Sequence, residues 1–264
     1  MSVDDRQAYL RELGLTLWER WSAAGGYPPA DRADVAVAEP PAAPAPERHG
    51  GEKAPPEPAP APSTATVEAG ARAPAPEADI ARMDWEALEA DLARQDHRGA
   101  SRPVFGVGAR DADLLIVGEA PGAEEDRRGE PFVGRAGKLL DRMLFAIGRS
   151  RSKNAYIANI CKFRPPNNRD PNPDEVAADR PYLERQIDLL SPRLIIAVGR
   201  VAAQNLLGTD QSLGRLRGRL HDYPRRDIPV LVTYHPAYLL RSPQQKARAW
   251  EDLKRAAALL EASP

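Results

Sequence analysis

Four short apolar runs rich in branched residues constrain this chain more than any other feature: Leu114 to Val117, Ala155 to Ile160, Leu194 to Val198 and Val230 to Thr233. Helical stretches at 136–147, 173–190 and 200–207 separate them, and a last helix is expected from Pro243 to Leu260. Strands that alternate with helices imply a parallel sheet covered on both faces. The expected fold is α/β, a three-layer α/β/α sandwich around a four-stranded parallel sheet.

Each run also delivers a distinctive residue at its carboxyl end: Glu119, Asn159, Gly199 and His235. Parallel strands bring these ends to one edge of the sheet, where ligands of α/β proteins collect. The first run opens into GEAPGAEEDRRGEPFVGRAG (118–137), a loop with five carboxylates around Phe132. A phosphate loop is excluded, because the Walker pattern needs Gly where Phe132 stands and Ser or Thr where Leu139 stands. A Gly-rich dinucleotide turn is absent as well.

Composition sets the sandwich apart from what precedes it. Thirteen of the 27 prolines lie between residues 28 and 80, with Ala and Glu dominant and aromatics almost lacking. Such a stretch buries too little apolar surface to offset chain entropy, and is read as a disordered linker. Residues 4–22 space Tyr9, Leu10, Leu13, Leu17, Trp18 and Trp21 as an amphipathic helix. It either docks back on the main domain or binds a partner protein. A second helix is expected over Met83 to Gln95, capped by Asp84, with Trp85, Leu88 and Leu92 on one face. The expected organisation is a short helix in 1–27, a linker in 28–80 and one domain in 81–264.

Charge divides along the same line. Residues 1–99 carry 10 Lys/Arg against 18 Asp/Glu, whereas residues 100–264 carry 27 against 20. A basic folded domain behind an acidic leader favours a polyanion, nucleic acid first among them. The one cysteine, Cys161, excludes an internal disulfide and any four-cysteine metal site. Without an 18-residue apolar run or a signal peptide, the expectation is a cytoplasmic protein with no membrane association.

Four groups at one sheet edge suggest a chemistry that none suggests alone. Phe132 offers a stacking face to a flat heterocycle. The Asn159 amide offers a donor beside an acceptor, which matches the O4 and N3–H edge of uracil and opposes that of cytosine. His235 can donate to charge developing on a departing base, and Glu119 can steady a cationic sugar or orient water. Together they suit cleavage of an N-glycosidic bond on a flipped base.

The stretches 118–137, IANICKFRPPNNRDPNPDEV (157–176) and YHPAYLLRSP (234–243) resemble motifs of the uracil-DNA glycosylase superfamily, specifically its family 4 branch, over about residues 104–256. The resemblance implies that Phe132 stacks on uracil, Asn159 reads its edge and His235 faces O2. It also implies that the backbone of Glu119 and Ala120 lines the pocket. Glu119 would support bond breaking, and Glu125 would lie near C5, where a thymine methyl would clash. Pro236 to Arg241 resembles a minor-groove loop, with Tyr238, Leu239 or Leu240 as wedges and Arg241 beside them on DNA.

One departure is large. The branch carries four cysteines for a [4Fe-4S] cluster, and here Asp91, Arg94, Phe163 and Asp179 stand in their places. A cluster needs thiolates, so neither cluster nor other cofactor is expected. Phe163 is expected to fill the vacated space while Arg94 pairs with Asp179 or Asp91. The reading is a monomeric enzyme that hydrolyses the N-glycosidic bond of uracil in DNA and so initiates base excision repair. The alternatives are a non-catalytic DNA-binding or scaffold member of the superfamily, and a glycosylase for another deaminated base.

Overall fold

The computed structural model describes residues 77–262. The expected helix over 4–22 and the linker up to residue 76 lie outside the described residues. Helix α1 (Glu77–Ile80) begins just before the expected domain boundary and already buries Ile80. Helix α2 (Trp85–Ala93) follows, with Asp84 as its N-cap accepting the Ala87 N–H at 2.9 Å. Leu88 and Leu92 are fully buried on the expected face.

Six strands form one sheet: β1 (Val107–Gly108), β2 (Leu114–Gly118), β3 (Tyr156–Asn159), β4 (Leu194–Val198), β5 (Leu220–Asp222) and β6 (Pro229–Thr233). Their order is β1-β3-β2-β4-β6-β5. The inner four, β3-β2-β4-β6, are parallel and coincide with the four apolar runs. The outer two are antiparallel, so the sheet is mixed and six-stranded, and the expectation of four parallel strands is corrected. The omission has a physical cause: β1 is two residues long and β5 is the largely exposed Leu-His-Asp, so neither shows an apolar pattern.

Alternate strand residues feed two cores, one on each face. Leu114, Ile116, Ile157, Leu194, Ile196 and Leu231 face one side, where helices α4 (Arg135–Ala146), α8 (Pro236–Arg241) and α9 (Lys246–Glu261) pack. Leu115, Val117, Ala158, Ile195 and Val230 face the other, against α5 (Pro173–Leu190), α6 (Arg200–Leu207) and α7 (Leu213–Leu216). Every residue of β2, β3 and β4 is buried, because both faces are covered. The three layers leave the carboxyl ends of the parallel strands along a single edge.

Candidate active site

At that edge Gly118, the last residue of β2, pairs in register with Asn159, the last of β3. A Cβ on Gly118 would lie 2.4 Å from Asn159 Oδ1 and 2.7 Å from the Phe132 ring. Only glycine lets the amide and the ring close on this point. Asn159 is 1% exposed, and its Oδ1 and Nδ2 make no hydrogen bond within the protein. Leaving a buried polar group unpaired costs about 1–3 kcal/mol, so this amide is held ready for an external partner.

Phe132 lies between α3 (Ala123–Arg128) and α4, in the left-handed backbone region at φ 56°. For a bulky residue that conformation costs about 1–3 kcal/mol and persists only when its surroundings enforce it. Its ring centroid lies 5.5 Å from that of His235 with the planes 32° apart, so the two rings pack side by side at this edge.

The loop carboxylates divide by task. Glu125 accepts from the Gly122 N–H at 2.5 Å and the Phe132 N–H at 2.7 Å. Burial raises its carboxyl, and the two amides oppose that rise. Asp126 accepts from the Ser101 N–H at 2.7 Å, and Glu124 pairs with Arg127 at the surface. The Glu119 carboxyl directly follows β2 and shares a hydrogen bond with Asp170. Burial pushes it up to about 7, and Asp170 beside it adds to the rise while Arg200 opposes it. Asp170 in turn pairs with Arg200 at 2.7 Å. Ala120, next in the chain, is partly buried against the α5 and α6 side of the sheet.

His235 is the N-cap of α8, and its Nδ1 accepts the Ala237 N–H at 3.1 Å. That bond puts the proton of the neutral ring on Nε2. Burial, with Arg241 second, lowers the imidazole to about 4, so it stays neutral near pH 7. Gly199 backs the same side chain from the end of β4. Register and contacts thus bring Asn159, Phe132, His235 and Gly199 to one edge, with Glu119 directly after Gly118.

The expected wedge residues separate. Leu239 is 1% exposed and packs in the core, which removes it from the wedge set. Alternate positions of a short helix cannot all face outward, and the apolar pattern alone does not say which one does. Tyr238 stacks on Tyr234 at 5.2 Å, and the Arg217 guanidinium lies 4.0 Å over the Tyr234 ring. Leu240 is 36% exposed, and Arg241 is exposed beside it.

The positions of the family's cluster cysteines do not fit a [4Fe-4S] group. No thiol stands at any of them, and among the described residues no group of three or more His, Cys, Asp or Glu could hold a metal ion. Phe163 is buried with Ile80, Leu88, Leu92, Phe105 and Tyr182. Arg94 pairs with Asp91 at 3.0 Å, and Asp91 also accepts the Tyr182 hydroxyl at 2.7 Å. Asp179 is not Arg94's partner. Arg98 donates to both its oxygens at 2.7 and 2.8 Å while lying 4.7 Å from the Phe163 ring centre. The Lys162 N–H reaches Asp179 at 2.6 Å.

Four groups around the site escaped the sequence reading: Asp170, Arg200, Arg151 and Lys162. Arg200 follows a strand end directly and could have been found by the rule that identified Gly199. Lys162 is wholly buried, and its Nζ donates to the Asn159 carbonyl at 3.0 Å and to Gln186 Oε1 at 2.6 Å. Nothing local marks a lysine as buried.

A family model described as the uracil DNA glycosylase superfamily matches residues 105–254. The type-4 uracil-DNA glycosylase of Archaeoglobus fulgidus is 42% identical over 183 residues, covering 67% of this chain and 89% of the relative. That of Thermotoga maritima is 40% identical over 167 residues, covering 62% and 86%. The type-5 uracil-DNA glycosylase of Thermus thermophilus is 35% identical over 156 residues, covering 51% and 69%.

Proposed function

The chain belongs to the uracil DNA glycosylase superfamily, and we propose that it hydrolyses the bond between uracil and deoxyribose in DNA, leaving an abasic site. The observation that carries this is the Asn159 side chain, buried with both polar atoms unpaired beside the Phe132 ring. A side-by-side donor and acceptor beside an aromatic ring is what the O4 and N3–H edge of uracil requires.

In the proposed reaction a uracil turned out of the duplex stacks on Phe132, worth about 1–3 kcal/mol. Asn159 binds its edge, and the Nε2–H of neutral His235 donates to O2. As the C1′–N1 bond breaks, its electron pair goes to the pyrimidine ring, and the imidazole stabilises the charge that collects on O2. A water adds to C1′ on the opposite side. Ionised Glu119 takes its proton, a role that a carboxyl near 7 suits at neutral pH. Glu125 forms the wall beside Phe132 toward C5, and Leu240 enters the space the base leaves while Arg241 meets the backbone.

The basic residues of the domain supply the phosphate contacts, so activity falls as salt rises. The reading includes a cytoplasmic monomer that starts base excision repair and needs no cluster. Among the described residues no helix is long and apolar enough to cross a membrane. The deciding experiment is a gel assay of the purified protein on uracil-containing oligonucleotides, beside His235→Ala and Asn159→Ala. Alkali-labile product from the parent and loss in both variants is expected. No product at high enzyme excess overturns the reading in favour of a non-catalytic DNA-binding member.

A further inference from the structure

Arg151 lies outside the three motif stretches, on the turn between α4 and β3 where Ser150 bridges to Lys153. Its guanidinium reaches back across the edge of α4. Nη1 donates to the Pro131 carbonyl at 2.7 Å and Nη2 to the Phe132 carbonyl at 2.6 Å. Nε donates to Asp141 of α4 at 2.6 Å. Three donors on three fixed acceptors leave the fork little freedom, which a lysine could not reproduce.

Those two carbonyls flank the left-handed Phe132. On its other side the Phe132 N–H is held by Glu125. Behind it a Cβ on Gly137 would lie 1.6 Å from the Phe132 oxygen, so α4 is pressed against the same peptide. The backbone of the ring-bearing residue is thus bound at its nitrogen by one side chain and at its oxygen by another. Without Arg151 the Glu125 bond and the Gly137 packing alone oppose relaxation from φ 56° toward the common negative region, which would turn the ring away from Gly118 and His235.

We propose that Arg151 is a positioning residue for the base-stacking ring, acting on uracil release only through the backbone of Phe132. The proposal rests on the activity proposed above. Its test is a double-mutant cycle on single-turnover uracil release with Arg151→Ala, Phe132→Ala and the pair, read alongside the His235 ring resonance by NMR.

Arg151→Ala is expected to lower the rate about 30-fold while the half-saturating DNA concentration stays within about threefold. The pair is expected to lose no more than Phe132→Ala alone, because the two changes act on one element. Arg151→Lys, which keeps charge and stem, is expected to recover only part of the rate and serves where the alanine variant does not fold. The His235 resonance, sensitive to the Phe132 ring 5.5 Å away, should move in Arg151→Ala in the direction it moves in Phe132→Ala. Losses that multiply in the pair, or full activity in Arg151→Lys, overturn the proposal. If the parent protein releases no uracil, the activity reading fails by itself. An unmoved His235 resonance then overturns the positioning role independently.

Discussion

Lys162 binds the backbone of Asn159 with its side chain and Asp179 with its amide. Nζ lies 3.0 Å from the Asn159 carbonyl and the amide 2.6 Å from the Asp179 carboxylate. One buried residue therefore joins the backbone of Asn159 to the Arg98–Asp179 ion pair. The side chain's two acceptors, Asn159 O and Gln186 Oε1, match the two N–H groups of a neutral amine.

Burial lowers Lys162 from 10.5 to about 7. Between those values the unfolded chain binds more protons than the folded one, so this lysine makes stability rise with pH across that window. Lys162→Met should remove the rise. Urea unfolding at pH 7 and pH 9 is expected to show the parent gaining up to about 1.4 kcal/mol per pH unit relative to the variant. A parent-to-variant difference that does not change with pH would mean that the amine is charged throughout.

Asn159→Leu should separate stability from function. The substitution replaces two unpaired buried polar atoms by apolar volume, so the unfolding midpoint is expected to rise, by about 1–3 kcal/mol of stability. Uracil release is expected to fall at least about 100-fold, since the edge contacts are lost. A destabilised variant would indicate that the amide is satisfied inside the protein.

Glu119 must be ionised to take a proton from water, and its carboxyl is raised to about 7. Single-turnover rates should therefore climb from pH 5.5 to about pH 7.5 and then level off. His235, lowered to about 4, stays neutral across that range and adds no limb of its own. Asp170→Asn removes the neighbouring negative charge and should move the midpoint to lower pH, whereas Glu119→Gln should flatten the profile. An unshifted midpoint in Asp170→Asn would detach Asp170 from the site.

Arg98→Ala leaves the buried Asp179 with the Lys162 amide and without its cation. Breaking such a pair costs about 3–5 kcal/mol when both partners are buried, and Arg98 is a quarter exposed, so about 2–3 kcal/mol is expected from urea unfolding. Arg94→Ala, whose side chain is half exposed, should cost under about 1 kcal/mol. Iron chelators should leave uracil release by the parent unchanged. Equal losses in the two variants would contradict the assignment of Arg98 as the partner of Asp179.

The inner strands were legible because both faces of the sheet are covered, which makes each strand a continuous apolar run, and chain-local pattern suffices to find such runs. The Asp84 cap, the bounds of α5 and α6 and the four strand-end residues were legible for the same reason. Each depends on neighbours a few positions away and on the rule that parallel strands end together. Edge strands β1 and β5 were not legible, since two residues and an exposed Leu-His-Asp carry no period to read.

By itself, then, the sequence determined the parallel core and set Glu119, Asn159 and His235 at its carboxyl edge, with Phe132 in the loop beside them. The tertiary structure decided which of several equivalent neighbours does each job. Arg98 rather than Arg94 holds Asp179, 81 positions away, and Leu240 rather than Leu239 reaches solvent. Arg151, 19 positions on, holds the Phe132 backbone, and burial in the core lowers the Lys162 amine to about 7. The physical reason is common to all four. Hydrogen bonds, burial and pKa shifts depend on distances set by packing, and at these separations along the chain a residue's local pattern holds no information about which groups packing will bring beside it.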